Sequence, residues 1–506
     1  MGGRLVSSLL AQGHRVRCLV RSPAKLTDVA WANDVEVVTG TLEGPLDTAL
    51  ADVQVAIYLV HSIGSGEDWV EKELRDAEHF RRSAEAAGVE RIVYLGGMGR
   101  ESAQLSVHLK SRHDVGRTLA AGPIPVCELR AAVVLGSGST SFEMLRYLVE
   151  VLPVMVTPKW VATRCQPIAI TDVLRYLVAA VNAPEPVAGV VEIGGPDVVT
   201  YAEMMEIYAD EAGLTRRRLI PVPLLTPRLS SHWVGLVTPI PAALARPLVD
   251  SLVNEVVVRD SRAVDLFGAP EHTLREAIRW SLDRSTNADA TSGADDGDQQ
   301  LFRAQVADAH WAGGTILSDT WVATTTASAA AVFAAVTSLG GAAGWHRGAW
   351  LWRLRGLLDL VAGGPGLRRG RRHPRDLKVG DFVDFWRVES LEIDHRLRLH
   401  AEMVLPGDAW LEWVIEATDA QTTVTQRAVF APRGLWGRAY WYGVSPFHRY
   451  IFSGLLSGVI THAAGRRPTR GERPRRAHRD PSRAPQHERP GAYAGSTVTA
   501  SDYTTP

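Results

Sequence analysis

Met1-Gly2-Gly3-Arg4-Leu5-Val6, followed by His14-Arg15-Val16-Arg17-Cys18-Leu19-Val20-Arg21, decides how the first half of this chain folds. The glycine pair reads as the end of a glycine-rich turn, and residues 4–12 as the helix it opens. A strand over Val16–Val20 comes next. The same alternation recurs downstream. Val35–Val38, Val55–Val60, Arg91–Leu95 and Val126–Leu129 are strand-like runs, and 67–87 and 110–121 carry helical patterns between them. Strand–helix alternation of this kind predicts a parallel sheet with helices on both faces, a doubly wound α/β fold.

A chain of 506 residues exceeds one ordinary core, so two or three domains are expected. The net charge is −1, which gives no global field to draw in nucleic acid. Cys18, Cys127 and Cys165 are too scattered for a disulfide framework or a zinc site, so a reducing, cytoplasmic setting is expected. No uncharged apolar run is long enough to span a bilayer. The stretches 219–258 and 439–464 read as buried or surface-lying helices, with peripheral membrane contact as the alternative.

Residues 196–283 read as mainly helical, with proline-rich connections at 221–227 and 239–247. The run from Ser285 to Asp298 is acidic and small, and a linker is expected over 284–314. Composition then changes, since ten of the fifteen tryptophans lie from Trp311 to Trp441. A strand at 320–325, helices at 328–338 and 349–362, and four alternating strands at 381–393, 396–404, 409–417 and 422–431 predict an antiparallel sheet. A closing helix over 437–463 completes an α+β cup at 315–464. After Gly465 arginine and proline dominate without apolar periodicity, so 465–506 is read as a disordered tail, with polyanion binding as the alternative.

The end of the second strand carries the first chemical signal. A carboxylate there would bond a ribose 2′-hydroxyl, but this chain has Arg21, with Lys25 a turn further on. Cations at that place suit a 2′-phosphate, hence NADP(H) over NAD(H), and a solvated arginine is the plain alternative.

Residues 1–283 resemble the atypical short-chain dehydrogenase/reductases, close to the NmrA-like NAD(P)-binding proteins. The resemblance rests on the opening stretches above, on Tyr58-Leu59-Val60-His61-Ser62, on Arg91-Ile92-Val93-Tyr94-Leu95-Gly96-Gly97, on Glu128-Leu129-Arg130, on Gln166-Pro167-Ile168 with Asp172-Val173, and on Ile193-Gly194-Gly195-Pro196. It implies a Rossmann-like domain in which Gly2 is the last fingerprint glycine beside the pyrophosphate. It places Arg21 and Lys25 near the adenosine phosphate and Thr41-Leu42 near adenine. Leu59, Val60 and His61 would pass the riboses, with Gly96 and Gly97 at the end of the fifth strand. Catalytic relatives carry a hydroxyl where Gly96-Gly97 stands. They also carry Tyr-x-x-x-Lys, where this chain reads His108-Leu109-Lys110-Ser111-Arg112. His108 as the general acid and Arg112 as the ribose holder are the corresponding expectations, against an ordinary solvated helix face. Asp172 is the expected cap of the helix it begins. The family's opening strand would precede Gly2 and lie between the strands at 16–20 and 55–60. A start assigned too late, with cofactor binding belonging to a longer chain, is the expectation that follows.

Residues 315–464 resemble the START/polyketide-cyclase-like helix-grip proteins, specifically the DUF2867 module that follows such Rossmann domains. Pro406-Gly407-Asp408-Ala409-Trp410-Leu411-Glu412-Trp413, the run from Phe430 to Tyr442, and Pro446-Phe447-His448 carry it. It implies a cavity for a small apolar ligand, lined by Trp386, Trp413, Tyr440, Trp441 and His448, unless the tryptophans simply fill a core. No metal set is expected, because His400, Glu402 and Glu412 fall on different strands. The combined expectation is an NAD(P)H-dependent oxidoreductase of an apolar carbonyl or quinone-like substrate. The alternative is a non-catalytic NADP(H) sensor or scaffold. The oligomeric state is left open.

Overall fold

The computed structural model describes residues 1–26, 29–63, 68–102, 105–222, 238–282, 301–302, 308–309, 311–341, 345, 373, 376–418, 421–465, 469 and 472–477, with 25, 159 and 221 described by backbone alone. The chain divides into two compact units, residues 1–284 with 292–314, and residues 285–291 with 315–506.

In the first unit, strands Val55–Tyr58, Arg91–Gly97, Val126–Ala131 and Gly189–Ile193 form a wholly parallel sheet in that spatial order. Successive residues of a strand face opposite ways, and both faces are apolar here, as a sheet covered on both sides requires. Ile92, Tyr94 and Val126 pack against Ala77, Phe80 and Ala84 of helix Trp69–Ala86 and Val115 and Leu119 of helix Val107–Leu119. Val93, Cys127, Leu129 and Val191 pack against Leu5 and Leu9 of helix Gly2–Ala11 and Val173, Leu174 and Leu177 of helix Ile170–Asn182. The doubly wound α/β expectation holds.

Strands Arg17–Val20 and Glu36–Thr39 pair in parallel but form a sheet of their own. Val55–Tyr58 is therefore an edge of the four-stranded sheet. Asp172 is not the cap of its helix, which begins at Ile170 after an extended Ala169. It lies in the first turn and accepts from the Glu271 and His272 backbone N–H groups at 2.9 and 3.1 Å. Asp172, Glu271 and His272 thus come close enough to hold a cation. Arg175 stands 3.6 Å from Asp172 and 3.3 Å from Glu271 and already supplies the positive charge.

The linker expected over 284–314 is corrected at its C-terminal end. Phe302 is fully buried against Trp280 and His272, with ring centroids 5.2 and 5.9 Å away. Its carbonyl accepts from the Ser137 N–H at 2.9 Å. Asp308 takes both guanidinium arms of buried Arg4, and Tyr147 Oη donates to the Trp311 carbonyl at 2.8 Å. Composition marked the acidic run 285–298 as a linker and could not show that the apolar side chains after it return to the first core. That run lies outside the described residues.

The second unit is an antiparallel seven-stranded sheet in the order Phe382–Val383, Trp386–Glu392, Arg396–Ala401, Gly407–Ala417, Thr422–Pro432, Leu317–Thr325 and Arg475–Arg476. Ser328 caps helix Ala329–Thr337 by accepting from the Ala331 N–H. The closing helix runs Gly434–Ala464 and ends at Gly465, whose φ of 64° is left-handed. Phe452, Leu455, Leu456, Val459 and Ile460 of that helix meet Leu397, Leu399, Leu411, Trp413 and Val424 of the sheet. The strand Arg475–Arg476 departs from the expected tail, because Asp319 draws Arg476 onto the sheet through a 2.7 Å bond to its Nε. The tail beyond 477 and the helix expected at 349–362 lie outside the described residues. Among the described residues no helix is long and apolar enough to cross a membrane.

Because Phe302 is fully buried in the first core, Phe302→Ala destabilises that unit by about 3–5 kcal/mol. Urea unfolding of the full chain should show its transition moved to lower denaturant.

Candidate cofactor cleft

The C-terminal ends of the parallel strands converge with the start of helix Gly2–Ala11 on a cleft of about 470 Å³. Ligands bind at this end of an open α/β sheet. Met1, Gly2, Leu59, His61, Gly96, Gly97, His108 and Arg112 line one part. Met144, Leu148, Trp160, Met204, Met205 and Leu248 form the opposite wall, from the helices Thr140–Val151, Tyr201–Glu211 and Ala242–Ser251 and the turn at Lys159–Ala162. Among the described residues no carboxylate lines the cleft.

One buried carboxylate organises the polar end. Glu73 accepts from the Ser62 backbone N–H at 2.8 Å, from Ser111 Oγ at 2.5 Å and from Arg112 Nη1 at 3.3 Å. Arg112 also donates to the carbonyls of Val60 and Leu95, at 3.5 and 3.2 Å. Its guanidinium lies 5.0 Å from the centre of the Tyr94 ring, and Tyr94 Oη donates to the Arg112 carbonyl at 2.9 Å. Arg112 was expected to hold ribose hydroxyls. It borders the cleft, but its bonds run to Glu73 and to the two strand ends. Glu73 was not singled out, because in sequence it is one acid within a charged helix.

His108 sits in the first turn of its helix, half-buried against the cleft, and its buried Nδ1 has no hydrogen-bond partner. Burial, then the charge of Arg112 and then His61 push its pKa down to about 3. The expectation of a histidine protonated near neutral pH therefore gives way to a neutral imidazole in this setting. His113, one turn on, bonds the Gly97 carbonyl through Nε2 at 3.1 Å, and burial beside Arg130 holds its pKa at about 4.

Gly96 and Gly97, at the end of strand Arg91–Gly97, lie in close contact with their neighbours. A Cβ on Gly97 would come within 3.0 Å of Leu109 Cδ2, and one on Gly96 within 3.0 Å of Glu128 Oε1. The helix carrying His108 packs close on Gly97, where a side chain would shift the end of Leu109.

The remaining expected positions are spread around this end. Leu59 and His61 line the cleft, and Val60 is exposed beside them. Thr41 is exposed, whereas the Leu42 side chain belongs to the core and its carbonyl meets His79 Nδ1 at 2.6 Å. Arg21 is exposed after its strand, apart from the cleft lining, and the Lys25 side chain lies outside the described residues. The residues present fit a dinucleotide on two counts. A Cβ on Gly2 would meet nothing within 4 Å, which leaves open space at the helix N-terminus where backbone N–H groups attract phosphate. The unpartnered Nδ1 of His108 faces the same end.

In the second unit the residues expected to line a ligand cavity are packed. Trp386 and Trp413 lie in the core, and Trp413 Nε1 donates to Gln426 Oε1 at 3.0 Å. Trp441 stacks on Phe430 at 5.8 Å and meets His448 edge-on at 4.6 Å, while half-buried Tyr440 lies against Phe430. Burial gives Trp386, Trp413 and Trp441 a packing role in this unit.

A histidine held neutral in the fold binds its proton more readily when unfolded, so His108 erodes stability as pH falls from about 6.5 towards 3. His108→Gln should flatten that pH dependence, read from urea midpoints between about pH 7 and pH 4.

Residues 1–122 match a protein family described as NAD(P)H-binding, and residues 311–455 match DUF2867, a family of proteins of unknown function. No curated protein matches the chain. Among solved structures, the chain is similar to the triphenylmethane reductase of Citrobacter sp. complexed with NADP(H), at 18% identity over 55% of this chain and 95% of that one, with a TM-score of 0.44. It is similar to the NADPH-dependent quinone oxidoreductase of Escherichia coli complexed with NADPH, at 18% identity over 55% and 94%, with a TM-score of 0.44. A nucleoside-diphosphate-sugar epimerase of Staphylococcus aureus matches at 14% identity over 55% and 95%, again with a TM-score of 0.44. The chain thus carries an NAD(P)H-binding, Rossmann-type domain and a DUF2867 domain.

Proposed function

We propose that the first unit binds NADP(H) and reduces an apolar, quinone-like two-electron acceptor in the cleft beside His108. The observation that carries this reading is the His108 imidazole, its Nδ1 unpartnered, at the junction of an apolar wall with the Gly96–Gly97 strand end. Gly2 and its helix N-terminus would hold the pyrophosphate, Arg21 with Lys25 the adenosine phosphate, Thr41 the adenine edge, and the backbone at Leu59–His61 the riboses. Bound there, NADPH supplies a hydride.

The protonation state of His108 selects among acceptors. A ketone that takes up hydride becomes an alkoxide, a strong base that needs an acid at hand. Imidazole without its second proton is a poor acid. A quinone that takes up hydride becomes a hydroquinone monoanion, whose conjugate acid is phenol-like with a pKa of about 10. That anion collects its proton from water, and the balance is quinone, NADPH and one proton giving hydroquinone and NADP⁺. His108 then acts by donating one ring N–H to the oxygen on which charge develops, with Arg112 behind it. Methionine, leucine and tryptophan side chains opposite suit a flat apolar acceptor.

In the second unit Trp386, Trp413, Tyr440, Trp441 and His448 are engaged in packing, so this reading assigns them no substrate role. A second reading, an NADP(H) sensor without turnover, is favoured by the glycines at 96 and 97, which offer no hydroxyl to the cleft.

Titration with NADPH and NADH, followed by turnover with quinones and with aldehydes, separates the two readings. The reductase reading expects quinone turnover well above aldehyde turnover, lowered about a hundredfold in kcat by His108→Ala. NADPH binding without turnover establishes the sensor. Arg21→Ala should weaken NADPH about tenfold and leave NADH unchanged.

A further inference from the structure

The cleft beside the strand ends continues into the main apolar core of the first unit. Its far wall is made of residues that belong to that core, among them Leu148, Trp160, Met205 and Val249. That wall is long. Leu244, Leu248 and the capping Leu252 line it at four-residue spacing from helix Ala242–Ser251. Ser141, Met144 and Leu148 do the same from helix Thr140–Val151. At about 1.5 Å of rise per residue, the two rows extend the cleft by about 12 Å and about 10 Å. One end of the first row is fixed beside His108, because Ser106, which caps the His108 helix, meets Ser251 Oγ at 2.9 Å. Leu252 is therefore near the histidine, and Leu244 lies at the far end.

Polarity changes along the same cavity. Gly2, His61, His108 and Arg112 gather at the strand ends. Among the described residues no charged side chain lines the wall built by the two leucine-bearing helices. Ser251 donates its hydroxyl proton to the Pro247 carbonyl at 2.8 Å, so its donor is used within its own helix. Met144, Met204 and Met205 face this space, and unbranched thioethers adapt to occupants of varied shape. A hollow lined in this way offers water few partners and favours an apolar occupant.

We propose that this extension is a subsite for a hydrocarbon tail, and that the acceptor is a quinone carrying an alkyl or prenyl chain. The ring sits at His108 and the chain runs along the leucine row towards Leu244. The inference rests on the reductase reading for the ring and on the long apolar wall for the tail. A bare ring covers only the near part of that wall. An extended chain advances about 1.2 Å per bond, so about ten carbons span the row from Leu252 to Leu244. Burying such a chain against core side chains supplies affinity without asking more of the polar end.

The test uses the full chain and three 1,4-benzoquinones, one without a tail, one with a pentyl tail and one with a decyl tail. KM is read with NADPH, and Kd by equilibrium dialysis with NADP⁺ present. A fully buried methylene is worth roughly fourfold in affinity, so both constants should fall at least tenfold from the tailless to the pentyl quinone. A further tenfold fall to the decyl quinone is expected. Leu244→Asn, at the far end, should remove most of the second gain, and Leu248→Ala should reduce both. Both leucines are half-buried, so thermal unfolding is compared with the unaltered chain. Leu244→Ala replaces Leu244→Asn if the polar variant does not fold. Constants independent of tail length overturn the proposal and leave the reductase reading standing. Tail-dependent binding that neither leucine variant alters overturns it too, by placing the chain elsewhere. Tail-dependent binding that both variants alter, without turnover, supports the subsite and overturns the reductase reading instead.

Discussion

The cleft depends on a carboxylate that never reaches it. Glu73 is buried with Arg112, their side chains 2% and 7% exposed, and a charge at that depth is tolerable only when paired and hydrogen-bonded. Glu73 meets this condition with three donors from two elements, the loop after Val55–Tyr58 and the helix Val107–Leu119. Removing it would strand the Arg112 charge against Tyr94 and release the Val60 and Leu95 carbonyls. The register between two strand ends and the histidine-bearing helix is thus set from beneath. Burial lowers the pKa of His108 most, and the guanidinium fixed by Glu73 lowers it further.

This arrangement explains why the departures from the short-chain reductase pattern occur together. Once an arginine replaces lysine, its planar, many-armed head is satisfied by backbone carbonyls and a carboxylate rather than by a ligand alone. Tight seating of the helix follows, and Gly97 under Leu109 is its steric signature. A side chain at 97 would press on the end of Leu109 and touch Arg112, so Gly97 and Arg112 share one packed contact.

The alternation that reveals the parallel sheet was legible because burial on both faces leaves continuous apolar runs such as Ile92-Val93-Tyr94-Leu95. The hairpins of the second unit were legible for the opposite reason, a period of two with turn residues between. What stayed hidden is tertiary. Nothing local distinguishes Glu73 from the exposed Glu71 two residues before it, and only the loop at Ser62 does. Asp308 and Phe302 follow an acidic run whose composition masks their return to the core. Helix caps were equally opaque, since Asp172 meets a distant backbone rather than its own helix.

Tryptophan density after residue 311 has two physical origins that composition merges. Trp386 and Trp413 contribute area to the core, and Trp413 spends its one polar atom on Gln426, whose amide in turn donates to the Phe452 carbonyl at 3.0 Å. Trp436 contributes nothing to that core and is 83% exposed. Both belong to the same unit, and Phe452 and Trp436 to the same helix, so propensity does not separate them. The difference is angular: residues that share the direction of Trp441 and His448 meet the sheet, and those half a turn away meet solvent. An aromatic side chain outside gains nothing for folding, whereas the same ring inside contributes its full apolar area.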